Sequence, residues 1–291
     1  MSPKNIYSIL KNFIEVIPVS LLENLQVIVD GNAMAYFALM NARKKYHEDT
    51  FCIEAAQKAA KNLQLHEKEV GKFSTNFCIN CFETLASIIP NYTIVFDGKD
   101  IPLEKEKEFG RRNKDLSQRL KLLANDLDTF EKDFSNEQKA KKFYNSLAHC
   151  HTFDIKILKK FIENTPNCIV AQGEADCYCA KACVSGKYQA VLSPDYDVLM
   201  YRCPFLIRDI TDKTASVILL DTVLENLDIT FSQFVDMGIL MGNDYNDRIY
   251  RMGPKKSLQL IKKHGSLENI ELNLRINLEC INWKRLREIF Q

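Results

Sequence analysis

The sequence predicts an α/β fold in which a mostly parallel, twisted sheet is flanked by helices. Short apolar runs rich in β-branched residues alternate with longer segments of helical periodicity, which is the order expected of a helix-covered parallel sheet. Acidic residues close several of these runs. With 291 residues and 46% apolar content, the chain can bury one sizeable core, alone or with a smaller appended unit.

Each predicted element follows from a local pattern. Residues 25 to 30 form the first strand, and a helix begins near Ala33, where apolar residues start to recur at helical spacing. The span 92 to 97 is β-branched and aromatic, as a buried strand should be. Residues 52 to 89 are mostly helical in pattern. Further strands are predicted near residues 167 to 171, 189 to 193, 205 to 210 and 216 to 220.

Composition favours an intracellular protein. No uninterrupted apolar stretch is long enough to cross a bilayer, and the N-terminus lacks the apolar centre of a signal peptide. The ten cysteines are expected to be reduced thiols, since a chain of this length needs no disulfide staples. Cys78 and Cys81 form a CxxC pair, but no second pair lies at zinc-finger distance. The net charge of +1 requires any phosphate binding to be local.

Carboxylates stand at the ends of the apolar runs. VIVD ends at Asp30, TIVFD at Asp97 and GILMGND at Asp244. In doubly wound sheets, ligand-binding residues gather outside the carboxyl ends of parallel strands, so acids scattered through the sequence should converge. The full set is Asp30, Asp97, Glu174, Asp176, Asp195, Asp197 and Asp244.

Convergence of so many carboxylates carries a cost of mutual repulsion, which raises their pKa values unless cations are bound. Oxygen ligands suit Mg²⁺ or Mn²⁺, and no convincing set of histidine or thiolate ligands accompanies them. The pattern therefore predicts a two-metal centre that cleaves phosphodiester bonds. An isolated aspartate at a strand end is more commonly a helix cap, so only the acids taken together carry this prediction.

A densely charged stretch extends from Lys99 to about Cys150 and contains few strand formers. Such a stretch is typical of exposed helices inserted into a fold, and a solvated helix face is its simplest explanation. Lys105 and Arg112 lie seven residues apart, which is two helical turns or about 10 Å on one face. Because they follow Asp97 closely, they could hold a scissile phosphate over the metals.

The segment from Phe231 onward predicts a helix, a turn at 242 to 246, a second turn around 252 to 254 and a helix that begins near Pro254. Proline suits the first turn of a helix, where the backbone amides can receive a phosphate. Lys255 and Lys256 reinforce that interpretation, although simple solvation explains them equally well.

Two N-terminal blocks resemble the flap endonuclease family, within the superfamily of structure-specific 5′ nucleases that includes the xeroderma pigmentosum G nuclease. VIVDGNAMAY is similar to the family's first strand, whose aspartate is followed by a base-stacking tyrosine, here Asp30 and Tyr36. VFDGKDIPLEKEKEFGRR resembles the segment with the second aspartate and two basic residues. With one residue inserted, these are Asp97, Lys105 and Arg112.

Two later blocks extend the resemblance over nearly the whole chain. QGEADCYCAKACVSGKYQAVLSPDYDVLMY is similar to the family's paired-acid helix and DxD turn, which gives Glu174, Asp176, Asp195 and Asp197. LMGNDYNDRIYRMGPKKSLQLIKKHGSLENI resembles the last aspartate, here Asp244, and the helix-two-turn-helix. A single ExD or DxD motif would be weak support, whereas all of them in family order identify the resemblance.

The resemblance implies a PIN-like 5′ nuclease fold with two further features. A helical arch, at about residues 99 to 150, would admit a single-stranded 5′ end, and the helix-two-turn-helix would grip duplex DNA and hold K⁺. The implied activity is hydrolysis of DNA near junctions such as 5′ flaps, in replication or repair and in the nucleus. We expect a monomer, without membrane association. Because the chain stops at Gln291 without the family's sliding-clamp motif, we expect no clamp tethering through that route.

We expect two divalent ions to be shared among the acids. Asp97, Glu174 and Asp176 would hold the first ion, with Asp30 in its outer shell. Mg²⁺ is the expected metal and Mn²⁺ an alternative.

The second ion would be held by Asp195 and Asp197, with Asp244 orienting its waters. Lys105 and Arg112 would neutralise charge that develops on the phosphate.

Contacts with nucleic acid are expected from Tyr36, Arg111, Gly253, Lys255 and Lys256. Tyr36 would stack on the base next to the cut, although packing in the core explains an aromatic residue on this helix equally well.

Two departures from the family pattern bear on these expectations. The family has glycine after the initiator methionine, whereas this chain has Ser2-Pro3, which can change the approach of the phosphate. The family's first hairpin glycine is replaced by Arg251, which changes the demands on the turn and adds a cation.

We predict one 5′ nuclease domain, because no repeat or linker marks a second. Its parts are an N-terminal nuclease region (1 to 98), an arch (99 to 150), an internal nuclease region (151 to 230) and a helix-two-turn-helix region (231 to 291).

Two alternatives stay open: a catalytically silent scaffold that binds nucleic acid or protein, and a nuclease that acts on RNA. A scaffold has no reason to keep mutually repelling acids, whereas contacts to the 2′-hydroxyl cannot be read from these motifs. The preferred junction, the balance of endonuclease and exonuclease activity and the role of residues 41 to 91 are also left open.

Overall fold

A computed structural model describes residues 6–150, 167–247, 249–274, 278 and 281–290 of the chain. The chain divides into two compact units. The first comprises Met1–Met34, Leu85–Glu108 and Pro166–Gln291, and the second comprises Ala35–Thr84 and Phe109–Thr165. Ser2-Pro3 and residues 151–166, the start of the predicted internal nuclease region, lie outside the described residues.

The first unit is built on a seven-stranded sheet with the order β1-β7-β6-β5-β2-β3-β4. Strands β2 to β6 pair in parallel, and β7 pairs antiparallel with both β6 and β1. A mostly parallel sheet was expected, and the structure confirms it. The strands are β1 Glu15–Pro18, β2 Val27–Asp30, β3 Tyr92–Phe96, β4 Cys168–Val170, β5 Ala190–Leu192, β6 Phe205–Ile210 and β7 Thr214–Leu219.

Strand β2 lies at the point where the order of the sheet reverses. It pairs with β3 on one side and with β5 on the other. All of its residues are buried, which explains its unbroken apolar sequence. Ligands of such sheets bind outside the carboxyl ends of the strands at this switch point.

Helices occupy most of the remaining described chain. They are α1 Tyr7–Leu10, α2 Gly31–Thr50, α3 Ile53–Lys61, α4 Leu63–Ile88, α5 Glu106–Glu131, α6 Glu137–His149, α7 Ala175–Val184, α8 Leu220–Leu227, α9 Phe231–Met241, α10 Pro254–His264, α11 Leu267–Leu274 and α12 Trp283–Phe290. Short 3-10 segments are Lys11–Phe13, Val19–Leu22, Leu103–Lys105 and Asp197–Tyr201. In the first unit, α7 packs on β2, β3 and β5, and α9 packs on α10 and α12.

The second unit has its own apolar core, in which α3 packs on α6. Phe130 and Phe143 are fully buried there, with stacked rings whose centroids are 5.7 Å apart. Helix α6 begins at Asn136, whose side chain accepts a hydrogen bond from the Lys139 backbone amide at 3.1 Å. The long helices α5 and α6 lie in the segment for which an arch was predicted, and the arch itself stays a prediction.

Most predicted elements are present, with shifts of a few residues at their ends. The helical region predicted for 52 to 89 is two helices separated at Asn62, whose side chain accepts from the Leu65 amide at 3.0 Å and so starts the second helix. Strand β1 was not predicted. Its EVIP sequence is mostly exposed at the edge of the sheet and shows no apolar alternation.

No helix among the described residues has the length and apolar character needed to cross a membrane. The described cysteines form no disulfide. Burial raises the pKa of Cys78 to about 12, so this thiol stays protonated.

Candidate active site

Neighbouring parallel strands carry the predicted acids to one edge of the sheet. Asp30 is the last residue of β2, and Asp97 directly follows β3. Glu174 lies beyond β4 at the N-terminal cap of α7, and Asp195 lies in the turn after β5. Because these four strands are adjacent, residues that are far apart in the sequence meet at the switch point.

Asp30 is a buried carboxylate held by two hydrogen bonds. It accepts from the Ala33 backbone amide and from the Ser193 hydroxyl, each at 3.0 Å. Burial raises the pKa of Asp30 to about 7, with further contributions from the charges of Asp195 and Asp97. The Ser193 hydroxyl also accepts from the Asp195 backbone amide at 3.2 Å, so one serine connects two of the acids.

Asp97 is oriented by Asn32. The Asn32 side-chain amide donates to Asp97 Oδ2 at 2.7 Å, and its oxygen accepts from the Asp97 backbone amide at 3.1 Å. Asp97 Oδ1 accepts from the Ala175 backbone amide at 2.8 Å, in the first turn of α7. A carboxylate at a helix N-terminus is favoured electrostatically, and this contact places Asp97 beside Glu174.

Gly98 brings the loops that carry Asp97 and Glu174 together. Its amide donates to the Gly173 carbonyl at 2.7 Å. A Cβ atom at this position would lie 2.0 Å from the Ala171 carbonyl oxygen and 2.2 Å from that of Gln172. Only glycine allows this approach of the two backbones.

Glu174 is the most heavily engaged of the acids. Its Oε1 forms an ion pair with the Lys105 ammonium, and its Oε2 accepts a hydrogen bond from the Tyr245 hydroxyl. The Tyr245 hydroxyl also contacts the Tyr201 hydroxyl at 2.5 Å. The side chain of Glu174 is 5% exposed and that of Lys105 is 15% exposed, so the pair is shielded from water.

Asp176 and Asp197 complete the cluster, with Asp197 buried and Asp176 half-buried. Burial raises the pKa of Asp176 to about 8, and the charge of Glu174 adds to the shift. Burial also raises the pKa of Asp197 well above its usual value, as do the charges of Asp195, Asp244 and Asp176. Among the described residues, Asp197 Oδ1 has no hydrogen-bond partner. These acids repel one another, as the sequence predicted.

Lys105 lies among the negative charges of this cluster. Burial opposes its charge, but the charges of Asp176, Glu174 and Asp244 outweigh burial and raise the pKa of Lys105 above its usual value. The ammonium is therefore retained, and a positive group lies among the predicted metal ligands.

The turn that carries Asp195 and Asp197 is fixed by Arg208. The Arg208 guanidinium donates to the Pro194 carbonyl and lies 3.9 Å from the ring centroid of Tyr196. These two contacts support the shape of the turn.

Three predicted residues belong to the second compact unit. Tyr36 lies on α2 with 46% of its surface exposed, and Arg111 and Arg112 lie on α5. Their proposed contacts with the phosphate and the bases stay predictions.

The start of α10 has the predicted form. Gly253 is the N-terminal cap residue, and Pro254 occupies the first turn. Lys255 and Lys256 are exposed. Backbone amides and cations are therefore combined at one helix start, as phosphate binding requires.

Arg251, for which the resemblance implies a glycine, has a φ of +60°, in the left-handed region that glycine enters at no steric cost. Its guanidinium lies 5.1 Å from the ring centroid of the exposed Tyr250. The turn therefore combines a backbone that favours glycine with a positive charge.

Sequence reasoning missed the residues that hold the acids in place. Asn32 and Ser193 each lie two residues from an acid that was identified, in VIVDGN and LSPD, and the polar side chain beside the motif was a usable signal. Tyr245 follows Asp244 directly, but nothing local shows that it contacts Glu174, which is 71 positions away.

The acids fit hard divalent cations by chemistry, since all of their donors are carboxylate oxygens. In the described part of the chain, no three His, Cys, Asp or Glu side chains already have an arrangement that could hold a metal ion.

A family model described as XPG I-region matches residues 166–244. Among curated proteins, the chain is 36% identical to flap endonuclease 1 of Candida glabrata over 181 residues, which cover 60% of this chain and 45% of the relative. It is 36% identical to flap endonuclease 1 of Vanderwaltozyma polyspora over 195 residues, which cover 65% of this chain and 50% of the relative. The matches thus span about half the length of these curated relatives.

Solved structures share the fold. The catalytic core of Rad2 in complex with a DNA substrate matches with a TM-score of 0.61 at 17% identity, over 99% of this chain and 77% of that one. Flap endonuclease-1 from Methanococcus jannaschii matches with a TM-score of 0.60 at 18% identity, over 97% and 83%. The Holliday junction-resolving enzyme GEN1 in complex with product DNA and Mg²⁺ matches with a TM-score of 0.52 at 17% identity, over 98% and 55%. These three matches show that the chain shares its fold with the solved structures.

Proposed function

We propose that the chain is a structure-specific 5′ nuclease of the flap endonuclease family, within the xeroderma pigmentosum G-like superfamily. It would hydrolyse DNA phosphodiester bonds near junctions of single and double strands, such as 5′ flaps. One observation carries the proposal: adjacent parallel strands end in buried and half-buried acids whose charges act on one another at the switch point of the sheet.

The metal of the family is generally Mg²⁺, and two ions would be bound here. Asp97, Glu174 and Asp176 would hold the first, with Asp30 in its outer shell. At the place of the second ion, Asp197 Oδ1 has no hydrogen-bond partner among the described residues, which supports a cation there because a buried carboxylate oxygen without a donor is unfavourable.

Asp195 would join Asp197 at the second ion, with Asp244 orienting bound water. Ions in these places would activate a water and stabilise the leaving oxygen of an in-line displacement. Mn²⁺, which accepts the same oxygen ligands, should substitute.

Side chains of the protein would neutralise the charge of the phosphate and orient the carboxylates. Lys105, which is already an ammonium inside the cluster, would neutralise charge on the scissile phosphate, and Arg112 would act with it. Glu174 would give up its ion pair with Lys105 when the phosphate takes that place. Asn32 and Ser193 hold their acids by hydrogen bonds, so these carboxylates need little reorganisation during the reaction.

Nucleic acid would be held at two further places. Tyr36 and Arg111 would contact the strand that is cut, through stacking and charge. Duplex DNA would be held through the backbone amides at Gly253 and through Lys255 and Lys256, with K⁺ as a candidate ion in this turn. DNA is favoured over RNA as the substrate because the structurally similar Rad2 core binds a DNA substrate. We place the protein in the nucleus, as a monomer that acts in replication or repair.

Cleavage of a labelled 5′ flap with Mg²⁺ tests this function. Wild type should cut, and Asp195→Asn should lower the single-turnover rate about a hundredfold or more, because it removes a metal-binding charge. Asp209→Asn is the matched control, since Asp209 lies exposed on β6, and it should cut like wild type. Equal cutting by wild type and Asp195→Asn, or no cutting by wild type with Mg²⁺ or Mn²⁺, would contradict the proposal.

Matched DNA and RNA flaps decide the class of substrate. We expect DNA to be cut preferentially. Preferential cutting of RNA would leave the chemistry intact and assign the protein to RNA.

A further inference from the structure

Tyr245 lies between the acidic cluster and the C-terminal helix α12. Its hydroxyl donates to Glu174 Oε2, and the residue is 5% exposed. A tyrosine hydroxyl carries a proton at neutral pH, whereas an ionised carboxylate only accepts, so Tyr245 is the donor of this hydrogen bond.

Tyr201 fixes the position of that hydroxyl. The two tyrosine oxygens are 2.5 Å apart, and Tyr201 is 4% exposed. Because the Tyr245 proton is directed to Glu174, the Tyr201 hydroxyl is the donor between the two tyrosines. The result is a directed chain of hydrogen bonds from Tyr201 through Tyr245 to Glu174.

The two oxygens of Glu174 consequently have different roles. Oε2 is occupied by Tyr245, so Oε1 is the oxygen that accepts a positive charge, and Lys105 holds it. The Lys105 ammonium also lies 5.6 Å from the ring centroid of Tyr245, within the range of a cation–π contact. One tyrosine thus touches both the acid and the lysine to which the reaction is assigned.

Helix α12 supports this chain of hydrogen bonds from the opposite side. The Phe290 ring lies 5.1 Å from that of Tyr201 and 5.5 Å from that of Tyr245, measured between centroids. The helix is anchored by Arg287, which donates to both carboxylate oxygens of Asp236 at 2.6 Å. Asp236 is 1% exposed, so this pair is a fixed part of the core.

We infer that Tyr245 is a positioning residue for the cleavage proposed above. Its hydroxyl holds Glu174 so that Oε1 faces the substrate phosphate, where it holds either Lys105 or a divalent cation. The inference rests on the proposed function, and it assigns a role to a residue outside the set of acids and cations. Groups that orient a metal ligand typically affect metal affinity or activity by about 10- to 100-fold.

A comparison of two tyrosine variants tests the inference. Tyr245→Phe keeps the ring and removes the hydroxyl. Tyr188→Phe is the matched control, because Tyr188 is 7% exposed and donates its hydroxyl to Thr93 Oγ1 at 3.1 Å. Both variants lose one buried hydroxyl, so thermal unfolding should show similar small losses of stability.

Only Tyr245→Phe should change the metal site. Titration of the full chain with Mn²⁺, followed by electron paramagnetic resonance without DNA, should give about tenfold weaker binding for this variant. Its single-turnover cleavage of a 5′ flap at saturating Mn²⁺ should be about tenfold slower. Tyr188→Phe should match wild type in both measurements.

The possible results distinguish a failure of the role inferred for Tyr245 from a failure of the proposed nuclease activity. Wild-type cutting combined with unchanged Mn²⁺ affinity and unchanged rate in Tyr245→Phe would overturn the inference and leave the nuclease in place. Wild type that binds Mn²⁺ but cuts no flap would reject the function, while the affinities would still decide the role of Tyr245. If Tyr245→Phe does not fold, Tyr201→Phe replaces it, and an unchanged Mn²⁺ affinity in that variant would overturn the inference.

Discussion

The acidic cluster of the first compact unit places carboxylates beside other carboxylates, whereas buried Arg43 and Asp126 of the second unit lie beside complementary partners. In the first, burial and like charges raise the pKa of Asp30 to about 7 and that of Asp176 to about 8. In the second, Arg43 is 6% exposed and reaches both oxygens of Glu67 at 3.1 Å. Asp126, also buried, accepts from the Ser146 hydroxyl at 2.5 Å.

This difference distinguishes a binding or catalytic centre from polar pairs that have a structural role only. Complementary pairs such as Arg43 with Glu67 satisfy their own charges and require no ligand. A group of acids that repel one another destabilises the fold, and such an arrangement is typical of a binding or catalytic centre. Of the three predictions below, the first two test whether the two units differ in this way, and the third concerns a turn within the first unit.

The largest expected effect is on the stability of the second unit. Phe130→Ala removes a fully buried ring that stacks on Phe143, and it should lower the free energy of unfolding by about 3 to 5 kcal/mol in urea titrations. Leu120→Ala, on the same helix but 47% exposed, is the control and should change it by less than about 0.5 kcal/mol. Mn²⁺ affinity should be unchanged in both variants. A parallel loss of affinity in folded Phe130→Ala would show that the second unit is not merely a scaffold.

A smaller effect is expected on the pH dependence of stability. In EDTA, folded Asp30 and Asp176 keep their protons up to about pH 7 and about pH 8, whereas the unfolded chain releases them near the ordinary value of 3.8. The unfolded chain then binds fewer protons, so the free energy of unfolding should fall as pH rises from 5 to 8, by on the order of a few kcal/mol.

Urea midpoints at pH 5 and pH 8, with EDTA and with Mg²⁺, measure this dependence. Mg²⁺ should restore stability at pH 8 because it binds only the ionised cluster of the folded state. Asp30→Asn should flatten the fall in EDTA. A midpoint in EDTA that rises between pH 5 and pH 8 would contradict the assignment of raised pKa values to the first unit.

The smallest effect concerns the turn before α10. Arg251→Gly places glycine at φ +60° and should raise the free energy of unfolding by about 1 kcal/mol, because the left-handed region disfavours side chains. Arg251→Ala distinguishes the effect of backbone strain from the effect of the charge, because alanine keeps a side chain at this φ but removes the cation. It should give no gain in stability, while both variants weaken binding to duplex DNA to the same extent. An equal gain from alanine would show that φ is not the cause.

The arrangement of acids was predictable because each one is marked by a local pattern. A buried strand such as VIVD has a recognisable composition, and the carboxyl-end rule for parallel sheets then places Asp30 and Asp97 together without coordinates. The helix start at Pro254 was predictable for the same reason, since capping signals act within one turn.

The contacts that hold the site together were not predictable in this way. Tyr245 and Glu174 are 71 positions apart, and their hydrogen bond depends on how α7 and the turn after α9 are placed by the whole core. Strand β1 was missed because an exposed edge strand needs no apolar alternation. Long-range orientation is set by packing, which a local pattern does not encode.

Gly98 contributes no functional group, yet the spacing of the centre depends on it. Because its missing Cβ lets one loop lie against the carbonyl of Ala171, even the smallest side chain there would force the loops carrying Asp97 and Glu174 apart. Among variants chosen for activity, this position should tolerate substitution as poorly as a metal ligand. A screen that ranked residues by chemistry alone would overlook it.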